Sequence, residues 1–239
     1  IQVAANRDSG LSGLETQFHE LDALTSGWQN SDLIIIAARP AMGKTAFVLS
    51  MAKNMAVNVN TPVAIFSLEM SNLQLVNRLI SNVCELEGEK IKSGRLTDAD
   101  WDKLMSSVQQ LYSAPLYIDD TPSLSILDLR TKARRLVREH QVKIIIIDYL
   151  QLIECDKYSD NKVLQVAEIT RSLKLIAKEM KIPIILCSQL SRPNKNVKEK
   201  RPMLSDLRDS GAIEQDADIV MLLYRDDYYD NSGNADQDT

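Results

Sequence analysis

Ile34, Ile35 and Ile36 run straight into Ala37-Ala38-Arg-Pro-Ala-Met-Gly-Lys-Thr45, and the residues from Thr45 to Ala56 read as a helix. An unbroken apolar run of this kind marks a strand buried on both faces. Strand, small-residue loop, Gly-Lys-Thr and helix, in that order, form the layout of a phosphate-binding loop. Backbone N–H groups and the helix N-terminus wrap an anion, Lys44 reaches the outer phosphates, and the Thr45 hydroxyl ligates Mg²⁺. Ala38 stands where the usual pattern opens with Gly. A bare Gly-Lys-Thr arises by chance and can be an ordinary βα turn. The flanking strand and helix make a nucleotide site the stronger expectation.

The rest of the chain supports a large sheet. Its 239 residues suit one α/β domain, and 44% hydrophobic with 26% charged residues allow a sizeable core. No apolar run approaches a membrane span and no signal peptide is visible. A net charge of −5 excludes a surface coated with basic charge, so any nucleic-acid contact must be local. Cys84, Cys155 and Cys187 lie far apart without ligand spacing, which fits a reducing, cytoplasmic setting, and Cys187 reads as core. His19 and His140 are isolated and carry no expected metal or catalytic role. The first residue is Ile rather than Met, which reads as a trimmed chain.

Apolar runs at 34–36, 62–68, 116–118, 143–147, 182–187 and 218–223 read as strands. Helical periodicity separates them at 45–56, 71–83, 101–111, 124–139 and 162–180, with Thr97 and Asp100 forming a capping box before the third of these. This alternation predicts a mainly parallel central sheet with helices on both faces. Residues 1–32 read as a lead-in packing on the sheet edge, 33–225 as the domain, and 226–239 as an acidic mobile tail. Ligands of such sheets sit at the carboxyl ends of the strands. Glu69, Asp119, Asp120, Asp148 and Gln189 each follow an apolar run. Asp148 is suited to hold Mg²⁺, commonly through water. Glu69 is suited to polarise an attacking water, and the Gln189 amide can report a γ-phosphate. Asp119 and Asp120 read as polar residues that simply end a strand.

Five segments carry a family resemblance: Ala38-Arg-Pro-Ala-Met-Gly-Lys-Thr45, Phe66-Ser-Leu-Glu-Met70, Ile145-Ile-Ile-Asp-Tyr-Leu-Gln-Leu152, Ser188-Gln-Leu-Ser-Arg192 and the run from Asp206 to Asp218. In order and spacing the chain resembles the DnaB-type replicative DNA helicases. The resemblance implies a RecA-like P-loop NTPase domain that takes ATP and Mg²⁺, forms a hexameric ring and moves along single-stranded DNA, with primase and a helicase loader as partners. By the same likeness Ala41, Met42, Gly43, Lys44 and Thr45 hold the phosphates and metal. Glu69 is the catalytic carboxylate, Asp148 the metal-side one, Gln189 the γ-phosphate sensor and Arg78 a further nucleotide contact.

The resemblance also implies that Arg208, Asp209, Ser210 and Gly211 line the ring's channel and grip DNA. Six basic and three acidic residues between 191 and 210 give that stretch a local charge of +3, with no aromatic platform for base stacking. Family members carry an N-terminal helical domain and, past the sixth strand, a further strand whose Lys and Arg reach a neighbour's site. Neither stands in full within these 239 residues. A trans-acting arginine is worth roughly 10³–10⁵ in turnover, so the expectation is ATP binding with slow hydrolysis by this chain alone. Two alternatives stay open: a RecA-like recombination or repair ATPase, and a nucleotide-gated DNA-binding scaffold with little hydrolysis.

Overall fold

The computed structural model describes residues 10–155, 157–158, 161–190, 201–207 and 211–226. Its centre is a six-stranded sheet in the order β3-β2-β4-β5-β1-β6. The strands are β1 (Leu33–Ala38), β2 (Val63–Ser67), β3 (Leu116–Asp119), β4 (Ile144–Asp148), β5 (Ile184–Gln189) and β6 (Ile219–Leu223). Every neighbouring pair is parallel, so the expectation of a mainly parallel sheet is met in full among the described residues. Helix α1 (His19–Thr25) precedes the sheet; parallel strands need crossovers, and the later helices supply them: α2 (Lys44–Lys53), α3 (Asn72–Cys84), α4 (Gly88–Ser93), α5 (Asp98–Ser113), α6 (Ile126–His140), α7 (Lys162–Met180) and α8 (Gly211–Asp216).

Period-two alternation within the buried strands divides the core. Leu33, Ile35 and Ala37 of β1 face one layer together with Leu129 and Ala133 of α6, Ile169, Leu173 and Ile176 of α7, and Ile213 of α8. Ile34 and Ile36 face the other, with Val48, Leu49 and Met51 of α2 and Leu75 and Leu79 of α3. Each Leu, Ile, Val or Met among these, fully withdrawn from water, contributes about 1.5–3 kcal/mol. Cys187 is a wholly buried member of the second layer, as its apolar context predicts.

The lead segment packs over α2 rather than along the sheet's edge. Trp28 is fully buried in the second layer and its indole N–H points at Met51 Sδ, 3.3 Å away. Phe18 stacks on Phe47 with ring centroids 5.1 Å apart. Leu14 and Trp28 form an antiparallel bridge. A Cβ on Gly13 would stand 2.5 Å from the Gly27 carbonyl carbon, so only glycine lets these two backbones meet.

Several boundaries move for identifiable reasons. Pro183 and Pro62 lack an N–H, and β5 and β2 begin one residue after them. α2 ends at Lys53 and continues as a wider π turn, Asn54–Asn58, keeping Met55 and Ala56 buried. Two short helices escaped the periodicity: α4 has no buried residue, and in α8 Ile213 is the buried anchor. Asp119 and Asp120 have structural partners. Lys132 Nζ donates to Asp119 Oδ2 at 2.6 Å, and Asp120 Oδ2 accepts from the Asn72 N–H at 2.7 Å.

Candidate active site

Because all strands run one way, their carboxyl ends finish on one rim. Ala38 stands opposite Gln189 in the β1–β5 pairing, and Ser67 opposite Asp148 in the β2–β4 pairing. β5 lies between the strand of the phosphate loop and that of Asp148. Gln189 therefore ends in the middle of the group. The loop itself turns through two left-handed residues, Ala41 (φ 64°) and Gly43 (φ 90°), before α2 begins at Lys44. Glycine takes that φ without strain, whereas Ala41 does not.

Asp148 is the centre of the site and is only 3% exposed. Thr45 Oγ1 donates to its Oδ2 at 2.6 Å, and Lys44 Nζ lies 3.1 Å from its Oδ1. The Lys44 ammonium also sits 4.4 Å above the centre of the Tyr149 ring, so its position is held by both a carboxylate and an aromatic face. Burial, then the Glu69 and Asp148 carboxylates, push the Tyr149 hydroxyl above its ordinary range. Burial and the same Asp148 charge push the Cys187 thiol well up, with Lys44 opposing.

A cavity of about 380 Å³ opens over the loop, lined by Ala41, Met42, Gly43, Lys44 and Thr45 and by Glu69, Arg78 and Gln189. All eight of these sequence-selected residues therefore share one hollow, with Asp148 bonded beneath it. Glu69 is held by a local turn in which Ser67 Oγ donates to the Met70 carbonyl (2.8 Å) and accepts from the Met70 N–H (3.2 Å). Arg78 is presented by α3. The helix starts with a Ser71–Gln74 capping box reinforced by Asp120. Gln151 clamps the end of β5: its amide Nε2 donates to Ser188 Oγ and to the Gln189 carbonyl, both at 3.2 Å, and its Oε1 accepts from the Gln189 N–H at 3.3 Å. Sequence reading passed over Gln151 and Ser67. The Tyr-Leu-Gln-Leu run after Asp148 was the one available signal for the former.

The residues fit a magnesium ion that shares a phosphate. Asp148 Oδ1 is buried and faces only the Lys44 ammonium, 3.1 Å away, while Oδ2 stands beside the Thr45 hydroxyl, so a carboxylate and a hydroxyl oxygen lie side by side. Hard oxygen donors suit Mg²⁺, which keeps several waters and completes its shell with substrate phosphates. Among the described residues no cluster of three or more His, Cys, Asp or Glu could hold a metal unaided. A larger cavity of about 840 Å³ lies at the opposite edge of the sheet, beside Pro62, Lys143 and Ile182, where β2, β4 and β5 begin. Asn60, Gln141 and Lys181, just past the ends of three helical segments, line it as well. Helix C-termini repel anions, so this is the poorer place for phosphate. His140 stacks on Tyr117 at 4.5 Å, a packing role.

Of the residues expected to contact DNA, Arg208 and Asp209 lie outside the described residues, as do 191–200 and 227–239. Gly211 opens α8. Among the described residues no helix is long and apolar enough to cross a membrane.

Residues 13–239 match the family described as the DnaB-like helicase C terminal domain. The chain belongs to that family. It is 51% identical over 230 residues to the replicative DNA helicase DnaB of Geobacillus stearothermophilus, covering 96% of this chain and 51% of that protein. It is 48% identical over 231 residues to the replicative DNA helicase DnaC of Bacillus subtilis (strain 168), covering 96% and 51%. The chain thus spans about half the length of these curated relatives. Its fold superposes on the ATPase domain of G40P with a TM-score of 0.91 at 39% identity, over 98% of this chain and 84% of that one. A DnaB-like replicative helicase described with its interactions with primase gives 0.90 at 39% identity, over 98% and 58%. The DnaB-like assignment makes this an ATPase domain with a nucleotide site, and its fold is the RecA-like one expected.

Proposed function

We propose that this domain is the ATP-driven motor of a replicative DNA helicase, coupling hydrolysis to movement along single-stranded DNA and to duplex unwinding. The observation that carries the proposal is Asp148, shared between Lys44 at 3.1 Å and Thr45 at 2.6 Å beneath a cavity that Glu69 and Gln189 also line. The loop amides from Ala41 to Gly43 and the start of α2 bind the phosphates of ATP, and Lys44 balances their charge. Thr45 and Asp148 hold Mg²⁺, partly through water. When bound, the ion neutralises charge on the β- and γ-phosphates. Glu69 accepts the proton of the attacking water, and Arg78 adds a cationic contact to the nucleotide. Gln189 donates its amide to the γ-phosphate, and Gln151 keeps that strand end in place.

For DNA, the residues are Arg208, Asp209 and Gly211. Arg208 supplies charge to a phosphate, and Gly211 allows close approach of a backbone N–H. In the whole protein the domain works within a hexameric ring in the cytoplasm, with primase and a loader as partners. The family assignment and the primase interactions described for one similar structure support this.

Glu69→Gln tests the chemistry. Turnover is expected to fall about 10²–10⁴-fold while ATP affinity is kept, read by phosphate release and by equilibrium binding of a fluorescent ATP analogue. Unchanged turnover would remove Glu69 from its role. Tight ATP binding with no turnover in the unaltered full-length protein would mark a nucleotide-gated scaffold instead. Strand displacement on a forked substrate separates a helicase from an ATPase that only pairs strands.

A further inference from the structure

Arg39 is the second residue of the phosphate loop, lines the same cavity as Lys44, and has a side chain only 7% exposed. A guanidinium withdrawn from water in this way needs a counter-charge. One comes from a point 167 positions away: Asp206 Oδ2 lies 3.4 Å from Arg39 Nη2. Asp206 belongs to a single 3₁₀ turn, Leu204–Leu207. The same Oδ2 accepts from the Met203 N–H at 3.0 Å, while the Asp206 N–H donates to the Met203 carbonyl at 2.9 Å. One carboxylate therefore closes the turn and reaches into the phosphate loop.

The neighbouring contacts lead the same way. Leu207 is buried in the first core layer with Leu190 and Ile213. The Leu190 N–H donates to the carbonyl of Ala38, the residue before Arg39, at 2.9 Å. Two consecutive residues at the base of the phosphate loop thus hold two separate points. One lies just past Gln189; the other lies just before Arg208.

We propose that Arg39 and Asp206 are a pair of positioning residues that transmit occupancy of the phosphate site to the turn Leu204–Leu207, which Arg208 follows in the sequence. The proposal rests on the DNA-contact role given above to Arg208 and Gly211. A phosphate in the loop acts on Arg39, whose planar fork suits phosphate and carboxylate alike. Any shift of Arg39 acts on Asp206, and Asp206 sets the turn that leads to the DNA contacts. Coupling of this kind is reciprocal for binding: DNA must tighten the nucleotide by the factor by which nucleotide tightens DNA.

The test uses the full-length protein, unaltered and as Asp206→Asn, Asp206→Glu, Arg39→Gln and the Arg39→Gln/Asp206→Asn double variant. Hydrogen exchange of residues 201–207 is followed on adding Mg²⁺ and a non-hydrolysable ATP analogue. In parallel, affinity for a labelled oligothymidylate is measured by anisotropy with that analogue and with ADP. The expected result is an exchange response that Asp206→Asn abolishes and Asp206→Glu restores. The analogue-to-ADP affinity ratio should fall about 5-fold or more in Asp206→Asn. The double variant should be no worse than the single ones.

An absent exchange response in the unaltered protein, a response that survives Asp206→Asn, or strictly additive single effects would each overturn the proposal. Failure of the DNA reading looks different. The oligonucleotide then fails to bind in either nucleotide state, yet the exchange response is present and lost in Asp206→Asn, which leaves the coupling pair standing.

Discussion

Asp32 and Asp218 meet Lys174 where β1 and β6 begin. The Leu33 N–H donates to Asp218 Oδ2 at 2.7 Å, Lys174 Nζ pairs with the same oxygen, and Lys174 also donates to the Ser31 carbonyl at 2.8 Å. Asp218 is thus well supplied. For Asp32, burial and then the Asp218 charge raise the carboxyl above its ordinary 3.8, with Lys174 opposing. A carboxyl whose pKa rises on folding binds its proton more tightly in the folded state. Its ionisation therefore costs stability as pH climbs from below 3.8 through the folded value. Asp32→Asn is expected to raise Tm at pH 7 slightly, since the carboxylate keeps part of its hydration, and the advantage shrinks as the pH is lowered through the folded value toward 3.8. A pH-independent difference in thermal melts would refute this. At this scale the site was largely legible, because Lys44, Thr45, Glu69, Asp148 and Gln189 each stand at a boundary that local patterning marks. The clamp on Gln189 was not legible: Gln151 is 38 positions away, and nothing in the chain order points one at the other.

α3 shows how an element inherits its placement. Its first turn has a local capping box, Ser71 with Gln74, and a distant cap, Asp120, which follows β3. Asp120 therefore does more than end a strand: it fixes where the helix that carries Arg78 begins. Asp120→Ala is expected to cost about 1 kcal/mol of stability, read by denaturant unfolding. It should also raise KM for ATP several-fold while kcat stays within about twofold, because uniform binding is lost rather than transition-state contact. A fall in kcat with unchanged KM would contradict the role given to Arg78. Asp119 belongs to a different arrangement. Burial works against its ionisation, but hydrogen bonds from Lys132 and Thr121 hold its carboxyl below the ordinary range. Long elements were legible from periodicity, as α6 and α7 show. α4 was not, since a polar six-residue helix with no buried side chain leaves no periodic trace.

For the whole molecule, a chain of net charge −5 can hold DNA only through a local concentration of cations. In the proposed DNA contact, phosphate interaction predicts a salt-dependent affinity with a slope of about −0.7 per phosphate for single strands. In the full-length protein, Arg208→Ala is expected to reduce that slope by about 0.7 for each engaged protomer, measured by anisotropy across a salt series. An unchanged slope would remove Arg208 from the contact. The sequence by itself determined the α/β alternation, the phosphate loop and the polar residues at the ends of β2, β3, β4 and β5, because each is written in a window of a few residues. Only the tertiary structure decided the strand order β3-β2-β4-β5-β1-β6, which inserts β5 between the loop and Asp148 and joins Arg39 to Asp206. The physical reason is that the buried runs are similar in apolarity, so no local pattern ranks one strand's neighbours over another's. Which strands lie side by side follows from how the crossover helices fill both faces of the sheet at once.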